Sequence, residues 1–120
     1  LCQENGVPPQ VLMCGFSFKE NCDDVRNSKV ADIVAGLDAH GIPVDIYDSV
    51  ADKSAISDIY NLGLVRNPDF NKYTHIVVAV AHDEFRSEKF IDLIRRSDIR
   101  TVYDIKSICP DLEGKRIVRL

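Results

Sequence analysis

The residues best suited to chemistry in this 120-residue chain lie together at positions 15–28. The segment reads Gly-Phe-Ser-Phe-Lys-Glu-Asn-Cys-Asp-Asp-Val-Arg-Asn-Ser, so cationic, acidic and amide side chains are concentrated in one short stretch. An ammonium or a guanidinium group can bind an anion through charge-assisted hydrogen bonds. The segment is therefore a candidate binding site for an anionic ligand.

The segment lies between a short apolar run and a helical pattern, which are the elements that would position it. Residues 11–14, Val-Leu-Met-Cys, predict a buried strand, and residues 29–40 place apolar side chains at helical spacing with Ser28 as the expected N-cap. In open α/β sheets, ligands collect beyond the carboxyl ends of the strands, and helix N-termini favour anions. An anionic nucleotide is therefore the ligand that we expect here.

The rest of the chain alternates strand and helix patterns. Asp48 and Ser49 are the expected caps of a second helix. Further strands are predicted at residues 43–47, 75–81, 101–103 and 116–119, and further helices at residues 50–59 and 86–96. This alternation predicts an α/β fold, a Rossmann-like three-layer sandwich with a mainly parallel sheet of about five strands and helices on both faces.

Composition predicts one globular domain. The chain is 45% hydrophobic and 28% charged, which suffices for a single core. We expect residues 11–120 to form the domain and residues 1–10 to be a lead-in from the preceding part of a longer protein. The net charge of −4 gives no overall attraction to nucleic acid or to an anionic membrane surface. Since no apolar run approaches the roughly 20 residues of a membrane span, we expect a cytoplasmic parent protein.

The cysteines and histidines indicate neither a metal site nor a disulfide framework. The cysteines stand at positions 2, 14, 22 and 109, and the histidines at 40, 75 and 82. No Cys-x-x-Cys pair occurs, and the spacing of the histidines to the cysteines fits no common metal site. We expect no metal and reduced thiols.

Four segments in sequence order resemble one known family. Residues 15–28 are similar to the signature that opens the C-terminal, UDP-binding domain of the UDP-glucose/GDP-mannose dehydrogenase family. Residues 40–48 resemble the second strand of that domain with its Tyr-Asp ending, residues 77–85 its later strand with an Ala-His-x-x-Phe corner, and residues 102–106 its penultimate strand. The resemblance covers about residues 10–120 and is closest in look to the UDP-N-acetylhexosamine 6-dehydrogenases.

The resemblance implies which residues contact the ligand. In the family, a Phe-Lys pair contacts the UDP-sugar, which points to Phe18 and Lys19; we expect Phe18 to anchor the loop in the core and to aim Lys19 into the cleft. Lys106, at the end of the fourth predicted strand, stands where the family often has an arginine, and a lysine would supply a point charge without the bidentate fork. The family's catalytic cysteine lies outside this segment, so we expect no catalytic residue here.

Other polar residues of these segments are expected to be structural. Asp24 and Arg26, with Ser28, are interpreted as the scaffold of the loop, because acids so close to an arginine pair with it internally. Cys22 lies among acids that oppose a thiolate, so a loop-packing role is expected. His82, followed by two acids, is interpreted as a turn-capping residue rather than an acid–base catalyst.

The resemblance implies that the parent is an NAD-dependent UDP-sugar 6-dehydrogenase. Such enzymes oxidise the C6 hydroxymethyl of UDP-glucose or a UDP-N-acetylhexosamine to a carboxylate, for capsule, lipopolysaccharide or other polysaccharide synthesis. No Gly-x-Gly-x-x-Gly loop occurs here, so NAD is expected to bind the missing N-terminal domain and this segment to be inactive alone. The implied partners are a UDP-sugar, the other domains of the same chain and further copies in a homo-oligomer.

Two other classes of protein remain open at this stage. A receiver-like signalling module would need an acidic pair just after the first strand and an aspartate after the third, and this sequence fits that arrangement poorly. A non-catalytic oligomerisation module would bind no nucleotide and would assemble with increasing concentration.

Overall fold

The computed structural model describes residues 8–119 of the chain. Residues 1–7 of the predicted lead-in, including Cys2, lie outside the described residues. Within the described part, Cys14, Cys22 and Cys109 carry free thiols. None of the helices there is long and apolar enough to cross a membrane.

Short apolar runs form a five-stranded sheet that is parallel throughout. The strands are β1 (Val11–Cys14), β2 (Val44–Tyr47), β3 (His75–Val78), β4 (Thr101–Asp104) and β5 (Arg116–Arg119), in the spatial order β2-β1-β3-β4-β5. The register pairs the last residues of all five strands with one another. The loops that follow the strands therefore meet at one edge of the sheet, and the strand order reverses between β1 and β3, where ligands of such sheets bind.

Helices cover both faces of the sheet, which confirms the predicted sandwich. The helices are α1 (Val30–Ala39), α2 (Lys53–Tyr60), α3 (Asp83–Arg86) and α4 (Glu88–Arg96), with a 3₁₀ turn at Phe70–Lys72 that the sequence did not predict. Alternate strand residues point to opposite faces. Leu12, Ile76 and Val102 pack with α3 and α4 on one face, whereas Val11, Met13 and Val77 pack with α1 and α2 on the other.

Several boundaries differ from the predicted ones because local hydrogen bonds override apolar periodicity. The second helix begins at Lys53 rather than at residue 50, since Asp52 caps it by accepting from Ala55 N at 3.1 Å; the prediction that Asp48 and Ser49 cap it was wrong. The helix predicted at residues 86–96 is divided at Ser87, whose backbone is extended and whose Oγ accepts from Phe90 N. Strand β3 ends at Val78, three residues before its predicted end.

Candidate functional site

The loop at residues 15–28, named here the 15–28 loop, begins at a position that only glycine can occupy. Gly15 has a φ of +100°, and an added Cβ would lie 2.7 Å from Val80 Cβ and 2.9 Å from Val80 N. Its amide donates to Tyr47 O at 2.9 Å, which ties the start of the loop to the end of β2. The chain therefore turns sharply at the edge of the sheet where the carboxyl ends of the strands lie, named here the carboxyl edge.

Phe16 anchors this loop, and the prediction that Phe18 does so was wrong. The Phe16 side chain is fully buried and packs edge-to-face on Tyr60 with ring centroids 5.1 Å apart. Phe18 is 57% exposed. Its amide donates to Asp24 O at 2.7 Å, which closes residues 18–24 into a turn. The Phe18 ring is thus available on the surface beside Lys19 instead of lying in the core.

Asp48, the first residue after β2, is the buried centre of the carboxyl edge. Its side chain is 1% exposed. One carboxylate oxygen, Oδ2, accepts from Phe16 N (2.7 Å), Ser17 N (3.1 Å), Ser17 Oγ (3.1 Å) and His82 Nε2 (2.9 Å), and the other, Oδ1, accepts from Val50 N (2.8 Å) and Ala51 N (2.9 Å). The carboxylate thereby joins three loops at one point.

These donors determine the charge of Asp48. Burial by itself raises the pKa of a carboxyl group, but the hydrogen bonds from His82 and from the Phe16 and Ala51 amides outweigh burial and lower the pKa of Asp48 well below its ordinary value. Asp48 is therefore an anion at neutral pH. Its charge is balanced by donors that the protein itself supplies.

His82, after β3, connects Asp48 to the tip of the 15–28 loop. It is fully buried, and its Nδ1 accepts from Asn21 N at 2.8 Å. Asn21 has a φ of +56°, a conformation that asparagine tolerates, and its Oδ1 accepts from Asp83 N at 3.0 Å. Although His82 directly precedes α3, its side chain makes no capping hydrogen bond, so the interpretation of His82 as a turn cap was wrong.

Lys19 stands on the exposed turn of the loop that these contacts hold. Within residues 8–119, its ammonium group has no hydrogen bond or ion pair, and the backbone amides of Lys19 and Glu20 donate to no protein acceptor. A free ammonium group beside two free amides is an arrangement that can bind a phosphate oxygen.

Asp24 and Arg26, which follow Lys19 in the loop, pair with each other. Arg26 Nε and Nη2 donate to Asp24 at 3.0 and 2.9 Å, which lowers the pKa of Asp24 to about 2. The Arg26 side chain is 76% exposed. The expected N-cap role of Ser28 was wrong: its Oγ donates to Phe16 O at 2.7 Å and caps no helical amide. Cys22 is half-buried in the same loop.

Lys106 lies on a second loop at the same edge of the sheet. Asp104, the last residue of β4, is 1% exposed and accepts from Ile108 N (3.1 Å) and Cys109 N (2.7 Å), which folds the chain after β4 into a tight turn. Lys106 is exposed on that turn. Because β3 lies between β1 and β4, the ends of those two strands are about 10 Å apart. Lys19 and Lys106 thus stand on loops that flank the end of β3.

Glu84 adds a further link at this edge, from α3 to the end of β2. Tyr47 and Ser49 both donate hydroxyl hydrogen bonds to its carboxylate. Burial, together with the Glu84 carboxylate, raises the pKa of Tyr47 to about 12.

The sequence analysis did not identify Asp48, Asn21 and Glu84 as residues whose hydrogen bonds hold this site together. The feature that could have identified them in the sequence is their position, because each lies directly after a predicted strand or in the loop that follows one.

The residues of this edge do not fit a dinucleotide cofactor. An acidic residue after the second strand of a dinucleotide-binding fold is free to accept from a ribose hydroxyl. Here Asp48 occupies that position, but its oxygens accept from internal donors and it is buried. The loop after β1 is not glycine-rich and places Phe16 in the core. Within residues 8–119, no cluster of His, Cys, Asp or Glu could hold a metal ion.

Comparison with known proteins identifies the family. The model of the UDP-glucose/GDP-mannose dehydrogenase family, UDP binding domain, matches residues 12–111. A UDP-N-acetyl-D-glucosamine 6-dehydrogenase of Salmonella typhi is 35% identical over 101 residues, which cover 83% of this chain and 24% of that protein. A protein of the same name from Pseudomonas aeruginosa is 41% identical over 78 residues, covering 65% of this chain and 18% of that protein.

Solved structures show the same fold. A UDP-D-ManNAc dehydrogenase from Pyrococcus horikoshii superposes with a TM-score of 0.74 at 19% identity over 93% of this chain and 25% of that one. The GDP-mannose dehydrogenase of Pseudomonas aeruginosa gives 0.70 at 20% identity over 93% of this chain and 28% of that one. This chain thus spans about a quarter of the length of these structures. The chain belongs to the UDP-glucose/GDP-mannose dehydrogenase family, of which it is the UDP-binding domain.

Proposed function

We propose that this domain binds the UDP part of a nucleotide-sugar at the carboxyl edge of its sheet. Lys19 and the free amides of Lys19 and Glu20 bind the diphosphate, the exposed Phe18 ring packs against the ligand, and Lys106 contributes a second positive charge from the loop after β4. The observation that carries the proposal is the free Lys19 ammonium on a turn whose backbone is fixed by Asn21 and Phe16. In this proposal, Asp24, Arg26 and Ser28 are the scaffold of the loop.

We propose further that the parent protein is an NAD-dependent UDP-sugar 6-dehydrogenase acting on a UDP-N-acetylhexosamine. The names of the curated relatives support this class of substrate. The NAD site and the catalytic cysteine belong to parts of the parent outside this chain, since no residue set at this edge fits NAD. We expect a cytoplasmic homo-oligomer that serves polysaccharide synthesis.

A domain without reacting groups can still control turnover in such an enzyme. Binding energy gained from the nucleotide, which does not react, can orient the sugar at a reacting centre elsewhere. This division suits a domain whose buried carboxylates, Asp48 and Asp104, accept from internal donors, while Lys19, Lys106 and the Phe18 ring are exposed at the edge.

The test is titration of this chain with UDP by calorimetry, and by amide shifts in parallel. UMP, ADP and GDP serve as controls for the second phosphate and for the base. We expect UDP to bind more tightly than each control and to shift the amides of residues 15–28 and Lys106. If GDP binds as tightly as UDP, the assignment of the base is wrong. If no nucleotide binds, either to this chain or to a full-length relative carrying the same loop, the site is wrong.

Matched lysine substitutions then test the individual residues. Lys19→Ala should weaken UDP binding by about tenfold, as expected for the loss of one charge-assisted contact to phosphate. Lys72→Ala, in the exposed 3₁₀ turn that precedes β3 at the opposite edge of the sheet, makes the same change in net charge and should leave affinity unchanged. Equal losses from the two substitutions would show that only net charge matters, and would remove Lys19 from the site.

A further inference from the structure

The buried His82 imidazole links three segments that are distant in the sequence. Its Nε2 lies 2.9 Å from Asp48 Oδ2 at the end of β2, and its Nδ1 lies 2.8 Å from Asn21 N in the 15–28 loop. The side chain is fully buried, and Phe85 packs against it with ring centroids 5.5 Å apart. Both ring nitrogens of this buried side chain therefore form hydrogen bonds with defined partners.

The identity of these partners dictates one tautomer. A backbone N–H can only donate, so Nδ1 must present its lone pair to Asn21. The proton of the neutral ring is then on Nε2, where it is donated to the Asp48 carboxylate. A positively charged ring would carry a second proton on Nδ1, facing the Asn21 N–H, and would lose this contact.

We propose that His82 is a positioning residue for nucleotide binding, and that its Nδ1 lone pair holds the Lys19–Glu20 turn in its binding conformation. This inference rests on the proposed function. Lys19 is two residues from Asn21, and the Asn21 amide is fixed by His82 while the Asn21 side chain is fixed by Asp83 N. Without the Nδ1 acceptor, the turn gains conformational freedom, and the ligand must order it on binding.

Two substitutions of His82 separate the two ring nitrogens. In His82→Asn, the amide oxygen can occupy the place of Nδ1 and accept from Asn21 N, while the bond to Asp48 is lost. In His82→Gln, the amide nitrogen can reach the place of Nε2 and donate to Asp48, while the acceptor for Asn21 is lost. Both substitutions shrink the same buried side chain, so both lower stability.

A second buried histidine provides the matched control. His75 is 1% exposed at the opposite end of β3, where it stacks on Tyr103 with ring centroids 6.1 Å apart. His75→Gln therefore makes the same change of residue type at a buried position, but at the edge of the sheet where the strands begin. It should lower the unfolding midpoint without changing UDP affinity.

The experiment measures the Kd for UDP, the unfolding midpoint and hydrogen exchange of the amide of residue 21 for wild type, these three variants and a fourth, Asn21→Gly. We expect His82→Gln to weaken UDP binding about three- to tenfold and to accelerate hydrogen exchange of the Asn21 amide. The UDP affinity of His82→Asn should stay within about twofold of wild type.

Asn21→Gly tests the other contact of this turn from a surface position. It keeps the backbone N–H and the positive φ and removes only the hydrogen bond to Asp83 N. It should weaken binding about two- to threefold without unfolding the domain.

Nitrogen-15 chemical shifts of the His82 ring add a reading that needs no ligand. The proposal requires a protonated Nε2 and an unprotonated Nδ1, and a proton on Nδ1 would overturn it. Equal UDP affinity of wild type and His82→Gln, or equal losses in His82→Gln and His82→Asn, would overturn only the role of His82. Failure of both the wild type and a full-length relative with the same loop to bind UDP would instead overturn the proposed function, and the ring tautomer and the Asn21 exchange would still report on the loop contact.

Discussion

Replacing Asp48 with asparagine should destabilise this domain strongly, although the two side chains have almost the same shape. An amide offers one acceptor oxygen where the carboxylate offers two. If that oxygen takes the place of Oδ2, the NH₂ group faces the Val50 and Ala51 amides, which lie 2.8 and 2.9 Å from Oδ1. Two hydrogen bonds to a charged acceptor are then lost in a site that is 1% exposed. At roughly 1.5–3 kcal/mol each, the free energy of unfolding should fall by about 3–6 kcal/mol.

Urea unfolding followed by circular dichroism measures this loss. Since small domains have slopes of about 1–3 kcal/mol per molar urea, the midpoint should fall by roughly 2 M. Asp45→Asn, in the same strand, is the matched control: Asp45 accepts from Tyr73 OH at 2.7 Å, a bond that an asparagine oxygen can also accept. That control should lose less than about 1 kcal/mol.

The pH dependence gives an independent test of the same reasoning. The pKa of Asp48 in the folded state lies below the unfolded value of about 3.9. The stabilisation from its carboxylate is therefore complete above about pH 5 and is lost as the pH falls toward the folded-state pKa. The stability gap between wild type and Asp48→Asn should narrow from pH 7 to pH 3. A gap below 1 kcal/mol at pH 7, or one equal at both pH values, would refute the reasoning.

Three further predictions follow from single positions. Gly15→Ala should lower the free energy of unfolding by about 2–5 kcal/mol in urea titration, because the φ of +100° is strained for alanine and the new Cβ meets Val80 at 2.7 Å; a neutral effect would contradict the turn described here. Ser107→Gly should raise stability by about 0.5 kcal/mol, since Ser107 has a φ of +56°, and a loss would show that its side chain contributes. Arg26→Ala should lower the melting temperature slightly and leave UDP affinity unchanged, because Arg26 pairs with Asp24; the reverse pattern would place Arg26 at the phosphate.

The sheet was predictable because its strands are short apolar runs separated by polar segments. The run at β1 and the Arg-Ile-Val-Arg pattern of β5 match the observed strands residue for residue. The parallel arrangement followed from strands alternating with helices. From these two features the carboxyl edge, and with it the place of residues 15–28, could be located before any side-chain geometry was known.

The choice between Phe16 and Phe18 could not be made from the sequence. Two aromatic residues spaced by two would lie on the same face of a strand, so neither is favoured by periodicity. Two local contacts decide between them: Phe16, directly after the turn at Gly15, packs on Tyr60, and the Phe18 amide donates to Asp24 O in a separate turn that leaves the Phe18 ring exposed. The conformation of the loop, which the apolar pattern does not specify, thus sets which phenylalanine is buried.

The hydrogen bonds of His82 could not be predicted from the sequence for a different reason. Its neighbours in the sequence, Asp83 and Glu84, suggested a capped turn, but its hydrogen-bond partners Asp48 and Asn21 are 34 and 61 residues away. Single-sequence patterns report local periodicity and caps, whereas a buried polar network depends on contacts between distant strands. The sequence does indicate that Asp48 and His82 lie near each other, since both follow strands that end at the same edge of the sheet.

A Tyr-Asp pair lies at the carboxyl end of both β2 and β4, where Asp48 directly follows β2 and Asp104 is the last residue of β4, and both aspartates accept hydrogen bonds from backbone amides. Asp48 fixes the amides at the start of the 15–28 loop, and Asp104 fixes the amides after Lys106. In both places a buried carboxylate holds backbone while a lysine stays exposed. A ligand that binds both lysines therefore orders mainly their side chains, at a cost of up to about 2 kcal/mol each, and the backbone of the two loops is already in place. Losing either aspartate should weaken binding even though neither carboxylate is available to touch the nucleotide.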